Sequence, residues 1–219
     1  MNISENIKKY RDDLPENVKL VAISKTKPNE DILEAYEAGQ RIFGENKIQE
    51  MTDKWEALPK DIEWHMVGHV QRNKVKYMAP FVGLIHAVDS LKLLKEINKQ
   101  AKKHELLIKC LLQIKIAEED SKFGISAEEA EEILASEAYQ KMKNTKVIGL
   151  MGMATFTDDE KQVSSEFQYL KKVFDKLKES YPALEELSMG MSGDYKLAVA
   201  NGSSMVRIGS SIFGERNYN

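Results

Sequence analysis

Three places in this sequence carry side chains suited to covalent and anion chemistry: a lysine closing a buried run, a Ser-Gly pair opening a short helix, and an arginine just before a Gly-Ser-Ser turn. Lys25 ends the apolar, β-branched run that starts at Val18, and Pro28 follows almost at once. Such a run reads as a strand buried on both faces, with the proline turn leading into a helix. A lysine at the carboxyl end of a buried strand sheds water, which lowers its pKa and turns the amine into a nucleophile. Taken alone, Lys25 also fits the commoner case of a strand-end lysine that carries its head into solvent.

Ser192-Gly193 opens a short helix, and Gly209-Ser210-Ser211 ends the last apolar run. Free backbone N–H groups and hydroxyls at two such points suit a phosphate. Arg207 lies two residues before Gly209 and offers a fixed fork of donors to a ring nitrogen or a carboxylate. A lysine amine with a phosphate cradle facing it describes a site for a phosphorylated carbonyl compound. Each feature alone is also an ordinary cap, tight turn or surface arginine.

The elements that must position these groups follow from periodicity. A helix from Ser4 to Asp13 precedes the first strand; a helix over 30–38, capped by Asn29 and burying Ile32, Leu33, Tyr36 and Ala38, follows it and ends at Gly39. Strands are expected over 41–46, 62–68, 84–89, 106–116, 146–153, 187–192 and 205–208. Helices separate them, among them those capped by Ser90 and Ser126, a long amphipathic one over 158–181 and a short one over 194–200. Alternation of this kind implies parallel strands with right-handed crossovers, closed as a barrel or open as a doubly wound sheet. Eight units in 219 residues favour the (β/α)8 barrel, as one domain over residues 1–219 with no linker. In that fold the strand ends share one face, so Lys25, Glu45-Asn46, Gly68-His69, Asp89, Ser121-Lys122, Met151 to Thr155, Met191-Ser192-Gly193-Asp194 and Arg207-Ile-Gly-Ser-Ser211 are read together.

Composition narrows the function classes. The 32 basic and 35 acidic residues are interleaved and give a net charge of −3, so no footprint for nucleic acid or anionic lipid stands out. One cysteine, Cys110, sits in an apolar run and cannot form an intramolecular disulfide, which points to a reducing, cytoplasmic setting. The N-terminus lacks a signal-type apolar core and no window reaches the length of a membrane span. His65 and His69 flank Gly68 at a strand end rather than sharing a helix face, and a metal pair there would need thiol or carboxylate company; they read as a strand residue and a turn residue. Met151, Met153, Met189 and Met191 alternate on two strands and read as packing, and 118–120 as a solvated acidic loop beside Lys122.

Six stretches in order, Val21-Ala-Ile-Ser-Lys-Thr-Lys-Pro28, Phe43-Gly-Glu-Asn46 with Gln49-Glu50, Trp64-His-Met-Val-Gly-His-Val-Gln-Arg-Asn-Lys74, Gly149-Leu-Met-Gly-Met153, Leu187-Ser-Met-Gly-Met-Ser192 and Met205-Val-Arg-Ile-Gly-Ser-Ser-Ile-Phe-Gly214, resemble the pyridoxal 5'-phosphate homeostasis protein family, the YggS and PROSC proteins. The resemblance spans essentially the whole chain. It implies a TIM barrel like the N-terminal domain of fold-type III enzymes such as alanine racemase, without their C-terminal β-domain. It implies pyridoxal 5'-phosphate as cofactor, held as a Schiff base on Lys25, with Ser192, Gly209 and Ser210 on the phosphate, Arg207 facing the pyridine nitrogen and Asn46 near the ring; Met66 and His69 are weaker candidates. Ser210 and Gly193 stand where many relatives have threonine and aspartate, and both keep a hydroxyl or a free N–H.

An arginine on the ring nitrogen keeps that nitrogen unprotonated, because guanidinium does not give up its proton, and the cofactor becomes a poor electron sink. The resemblance therefore implies a monomeric cytoplasmic carrier acting in vitamin B6 and amino-acid homeostasis, with pyridoxal phosphate-dependent apo-enzymes as conceivable recipients. The alternatives are an amino-acid racemase or transaminase of the same fold and, should Lys25 prove unreactive, a plain phosphate-metabolite barrel.

Overall fold

Eight parallel strands close into a barrel in sequence order, β1 pairing with β8, in a computed structural model that describes residues 2–118 and 123–214. The strands are β1 (Lys19–Ile23), β2 (Ile42–Glu45), β3 (Glu63–Met66), β4 (Val82–Val88), β5 (Ile108–Gln113), β6 (Thr145–Met151), β7 (Glu186–Met191) and β8 (Met205–Ile208). Each is short, and period-two alternation divides its side chains between two apolar layers. Val21, Leu84, Ala87, Leu111, Met151 and Met205 fill the lumen. The opposite faces, including Ala22, Phe43, Trp64, Ile85 and Cys110, join the larger core beneath the helices. Burial on both faces is why these strands read as continuous apolar runs.

Helix α1 (Ile3–Asp13) precedes the barrel, burying Ile3, Ile7 and Tyr10. The crossovers carry α2 (Asn29–Glu37), α3 (Ile48–Ala57), α4 (Val75–Met78), α5 (Leu91–Lys103), α6 (Ala127–Ala135), α7 (Glu137–Gln140), α8 (Glu160–Ser180) and α9 (Tyr195–Ala200); α10 (Ser210–Phe213) follows β8. Ser90 and Ser126 cap their helices as expected, Ser126 in a reciprocal capping box with Glu129. Gly39, at φ +91°, ends the segment after α2 in the left-handed region where glycine is free of strain.

Some boundaries depart from the sequence reading. Asn29 is the first helical residue of α2 rather than its cap, because the helix starts one position earlier and Pro28 holds the cap position with no side-chain bond. The buried face accordingly carries Ile32 and Ala35, while Leu33 is exposed. Leu106 and Leu107 are not strand residues. The N–H of Leu106 closes back on Ala101 O at 3.1 Å and Glu105 takes φ +55°, the helix-ending turn that leaves both leucines exposed. Of the expected charged loop after β5, residues 119–122, including Ser121 and Lys122, lie outside the described residues. Among the described residues no helix is long and apolar enough to cross a membrane.

Candidate functional site

Lys25 stands half-buried at the mouth of the barrel, two residues beyond the end of β1. A tight turn holds it: the N–H of Lys27 bonds Ser24 O at 3.0 Å, and Thr26 adopts φ +63°. A threonine in that conformation is strained, so the surroundings must impose it. The N–H of Thr26 donates to Glu50 Oε1 at 2.5 Å, and Lys27 Nζ donates to Phe213 O at 2.8 Å, tying the turn to α3 on one side and α10 on the other.

Beneath this turn lies a buried polar brace between the outer faces of β1 and β2 and helix α3. Lys54 Nζ donates to Ser24 O at 2.7 Å, to Glu45 Oε1 at 2.8 Å and to Glu50 Oε1 at 2.7 Å. The Ser24 hydroxyl adds a second bond to Glu45 Oε1 at 2.6 Å. Both donors to Glu45 converge on one carboxylate oxygen; Glu45 Oε2 is buried with no partner. Burial pushes the Glu45 carboxyl up to about 7, against the pull of Lys54 and the Ser24 hydroxyl.

The loops expected to hold a phosphate are brought together by register. In the β1–β8 pair, Val21 lies opposite Arg207 and Ala22 opposite Ile208, which carries Gly209 up beside the end of β1. A Cβ on Gly209 would stand 3.3 Å from both Ile23 Cβ and Ile23 O, so glycine lets the last loop approach the strand that delivers Lys25. The N–H of Gly209 donates to Ser192 Oγ at 3.3 Å, joining the loops after β7 and β8. A Cβ on Gly193 would meet nothing within 4 Å. Asn46 is exposed just after β2, its backbone packed so tightly under Gly68 that a Cβ there would come 2.4 Å from Asn46 O. Gly209 and Ser192 thus meet beside the end of β1, two residues before Lys25, with Arg207 lower on β8, while Asn46 lies on the β2 flank and Ser210 is the exposed first residue of α10.

Arg207 is buried in the lumen wall. Its guanidinium donates through NH1 to Ser188 Oγ and through NH2 to Gly152 O at 3.0 Å, leaving other N–H groups of its fork for a ligand. Burial lowers its pKa to about 10, partly offset by the field of Asp194, so it stays a cation at neutral pH. The donor set fits a phosphorylated aromatic aldehyde: an amine, hydroxyls and loop N–H groups at the mouth, and a cationic fork deeper in.

Sequence reasoning missed the partners of Arg207. Ser188 Oγ meets His86 Nδ1 at 2.9 Å, His86 Nε2 meets His65 Nδ1 at 2.9 Å, and His65 Nε2 meets Glu63 Oε1 at 3.0 Å. Four polar side chains therefore cross the lumen from β7 to β3. The available signal was parity, since His65, Ser188 and Arg207 occupy the third positions of their short strands and His86 the fifth of β4. His65 is thus a strand residue and His69 a loop residue; His69 stacks on Phe123 and lies 3.6 Å from Asp89. Met66 points outward into the core beneath the helices, away from the lumen, and Met189 does likewise, while Met151 packs inside. Strand alternation explains all three.

The fold and this strand-end constellation define a barrel of the alanine racemase N-terminal domain class, whose family model matches residues 1–217. A pyridoxal phosphate homeostasis protein of Aquifex aeolicus (strain VF5) is 40% identical over 202 residues, 91% of this chain and 88% of that protein. The structure of PipY of Synechococcus elongatus PCC7942 without PLP superposes with a TM-score of 0.91 at 34% identity, covering 97% of this chain and 100% of that one. PipY with PLP bound gives 0.88 at 33% identity, with the same coverage. The chain belongs to the pyridoxal phosphate homeostasis protein family.

Proposed function

We propose that this chain is a single barrel domain that binds pyridoxal 5'-phosphate, holding it by the Lys25 amine, and that it serves intracellular vitamin B6 and amino-acid homeostasis as a monomeric cytoplasmic carrier without turnover of its own. Ser192, Gly209 and Ser210 take the phosphate, Arg207 faces the pyridine nitrogen and Asn46 flanks the ring. When bound, the cofactor supplies an aldehyde that an amine can capture and a ring that can accept electron density. One observation carries the reading: the register of β1 and β8 brings Gly209 against Ile23, two residues from Lys25, with the Arg207 cation in the wall below, in a chain that superposes along nearly its full length on a PLP-bound relative.

The protein's own residues restrict the chemistry of the loaded site. Arg207 remains protonated and donates, so the ring nitrogen facing it stays without a proton and carbanion chemistry gains little. Apo-enzymes that need the cofactor are the proposed recipients. The test is an absorption titration of the purified protein with pyridoxal phosphate beside Lys25→Ala. A saturable visible band in the parent, absent in the variant, is expected; identical spectra would overturn the attachment. Steady release of product from added amino acids at fixed protein concentration would overturn the carrier reading in favour of an enzyme.

A further inference from the structure

Val21, Leu84, Leu111, Met151 and Met205 give the lumen of this barrel an apolar lining, so two imidazoles buried among them need a reason. A polar side chain in such a place costs stability unless every donor and acceptor is matched, and hydrocarbon of the same volume would pack at no such cost. Here every imidazole nitrogen is matched.

The two ends of the chain of bonds fix its direction. A guanidinium has no acceptor, so Ser188 Oγ accepts from Arg207. At the other end the Glu63 carboxylate only accepts, and the bond from His65 holds its carboxyl below the usual range, so the His65 proton on that side sits on Nε2. A neutral His65 then presents a bare Nδ1, which takes a proton from His86 Nε2; a neutral His86 presents a bare Nδ1, which takes the Ser188 hydroxyl proton. Burial between His65 and Arg207 holds His86 neutral. The order Arg207 to Ser188 to His86 to His65 to Glu63 uses each hydrogen once and leaves no nitrogen idle. Reversal would make Ser188 Oγ accept twice and strand its own proton inside the barrel.

We propose that Ser188, His86 and His65 are positioning residues for Arg207: a one-way hydrogen-bond relay, anchored on Glu63 at the amino-terminal face of the barrel, that sets how the guanidinium presents its remaining N–H groups to the ligand at the mouth. The assignment of that ligand's ring nitrogen to Arg207 rests on the function proposed above. Bonds linked in series polarise one another, so the carboxylate at one end strengthens the donation of the cation at the other. Glu63 begins β3 at one face, whereas Arg207 lies beneath the opposite mouth, so the relay carries the influence of a surface carboxylate through the protein interior.

Two measurements test this, one of them independent of the cofactor. Long-range ¹H–¹⁵N spectra of ¹⁵N-histidine-labelled protein without pyridoxal phosphate should show both His65 and His86 as neutral Nε2–H tautomers; a proton on His86 Nδ1 would overturn the relay. The second follows the Arg207 Nη resonances and the pyridoxal phosphate titration in Glu63→Gln, His65→Phe and His65→Asn. His65→Phe breaks the relay two bonds from Arg207 and should move the Nη resonances and weaken binding about threefold to tenfold, the size of one interior hydrogen bond. His65→Asn, whose Oδ1 replaces Nδ1 as acceptor, should restore most of it. Glu63→Gln alters a half-exposed surface group, folds as the parent, and should shift the Nη resonances in the same sense. Unchanged Nη resonances and unchanged binding in Glu63→Gln and folded His65→Phe would reduce the histidines to packing and sink the proposal. A parent that never develops a visible band fails the cofactor reading instead, and with it the purpose given to the relay, whatever the tautomers show.

Discussion

Replacing Glu45 by glutamine should flatten the pH dependence of this protein's stability. Glu45 is wholly buried, its Oε2 has no partner, and its carboxyl is pushed from the ordinary 4.5 to about 7 chiefly by loss of water. The folded state therefore holds this proton more tightly than the unfolded chain does. Below the unfolded value the group adds no penalty; as pH rises towards about 7 the unfolded chain ionises first and folding is opposed; above that the penalty is constant. At about 1.4 kcal/mol per pH unit the full penalty is about 3–4 kcal/mol, most of which develops between about pH 5 and pH 8. Urea unfolding of wild type and Glu45→Gln across that range, followed by circular dichroism, isolates the contribution because all other titrating groups are common to both. The wild type should lose about 2–3 kcal/mol more than the variant with an unchanged m-value. Parallel stability curves would refute the argument, since they would mean that Lys54 and the Ser24 hydroxyl hold Glu45 ionised in the fold as easily as water does.

The same brace makes Lys54→Met costly: it strips Ser24 O, Glu45 and Glu50 of a shared buried donor, and equilibrium unfolding should show a loss of about 3–5 kcal/mol. Gly190 has φ +99°, and a Cβ there would come 2.6 Å from Ala198 Cβ, so Gly190→Ala should cost about 2 kcal/mol or more, read as a fall in melting temperature. Cys110 is buried and its thiol is pushed up to about 12, so a thiol reagent should react only after denaturation; rapid labelling of the native protein would contradict the burial.

Where the sequence spoke clearly, it did so through local physics. The run into Lys25 is apolar on both faces because β1 lies between the lumen and the core beneath the helices, and that pattern is visible in a window of a few residues. Ser90 and Ser126 were legible as caps for the same reason, the donors and acceptors being three residues apart. Leu106 and Leu107 misled because an apolar pair after a helix looks the same whether it starts a strand or closes the helix end; a glutamate at φ +55° gives no sign of itself in sequence. The relay was illegible for a deeper reason. His86 and Ser188 are 102 residues apart, and only closure of the barrel makes them neighbours. A histidine on β4 shows polarity in a buried strand, but its partner depends on the stagger of strands on the far side. Glu45 was hidden similarly, since its place beside Asn46 suggested the mouth, while strand alternation turns it outward to Lys54.

The brace and the relay share no residue. The brace of Ser24, Glu45, Glu50 and Lys54 lies outside the strands, under α3, whereas Ser188, His86 and His65 lie inside them. One steadies the turn that bears Lys25 and the other steadies Arg207, so their common effect would be on the ligand rather than on each other. Separate partners imply separate energies. The double variant Glu45→Gln with His65→Phe should therefore lose stability as the sum of the singles, within about 0.5 kcal/mol. His65→Phe with Ser188→Ala should instead fall well short of its sum, because the first change already breaks the chain to which Ser188 belongs. Urea unfolding of these single and double variants decides it. Coupling across the barrel wall as large as coupling along the relay would mean that the strands transmit strain between the layers, and the division of labour between the two systems would have to be abandoned.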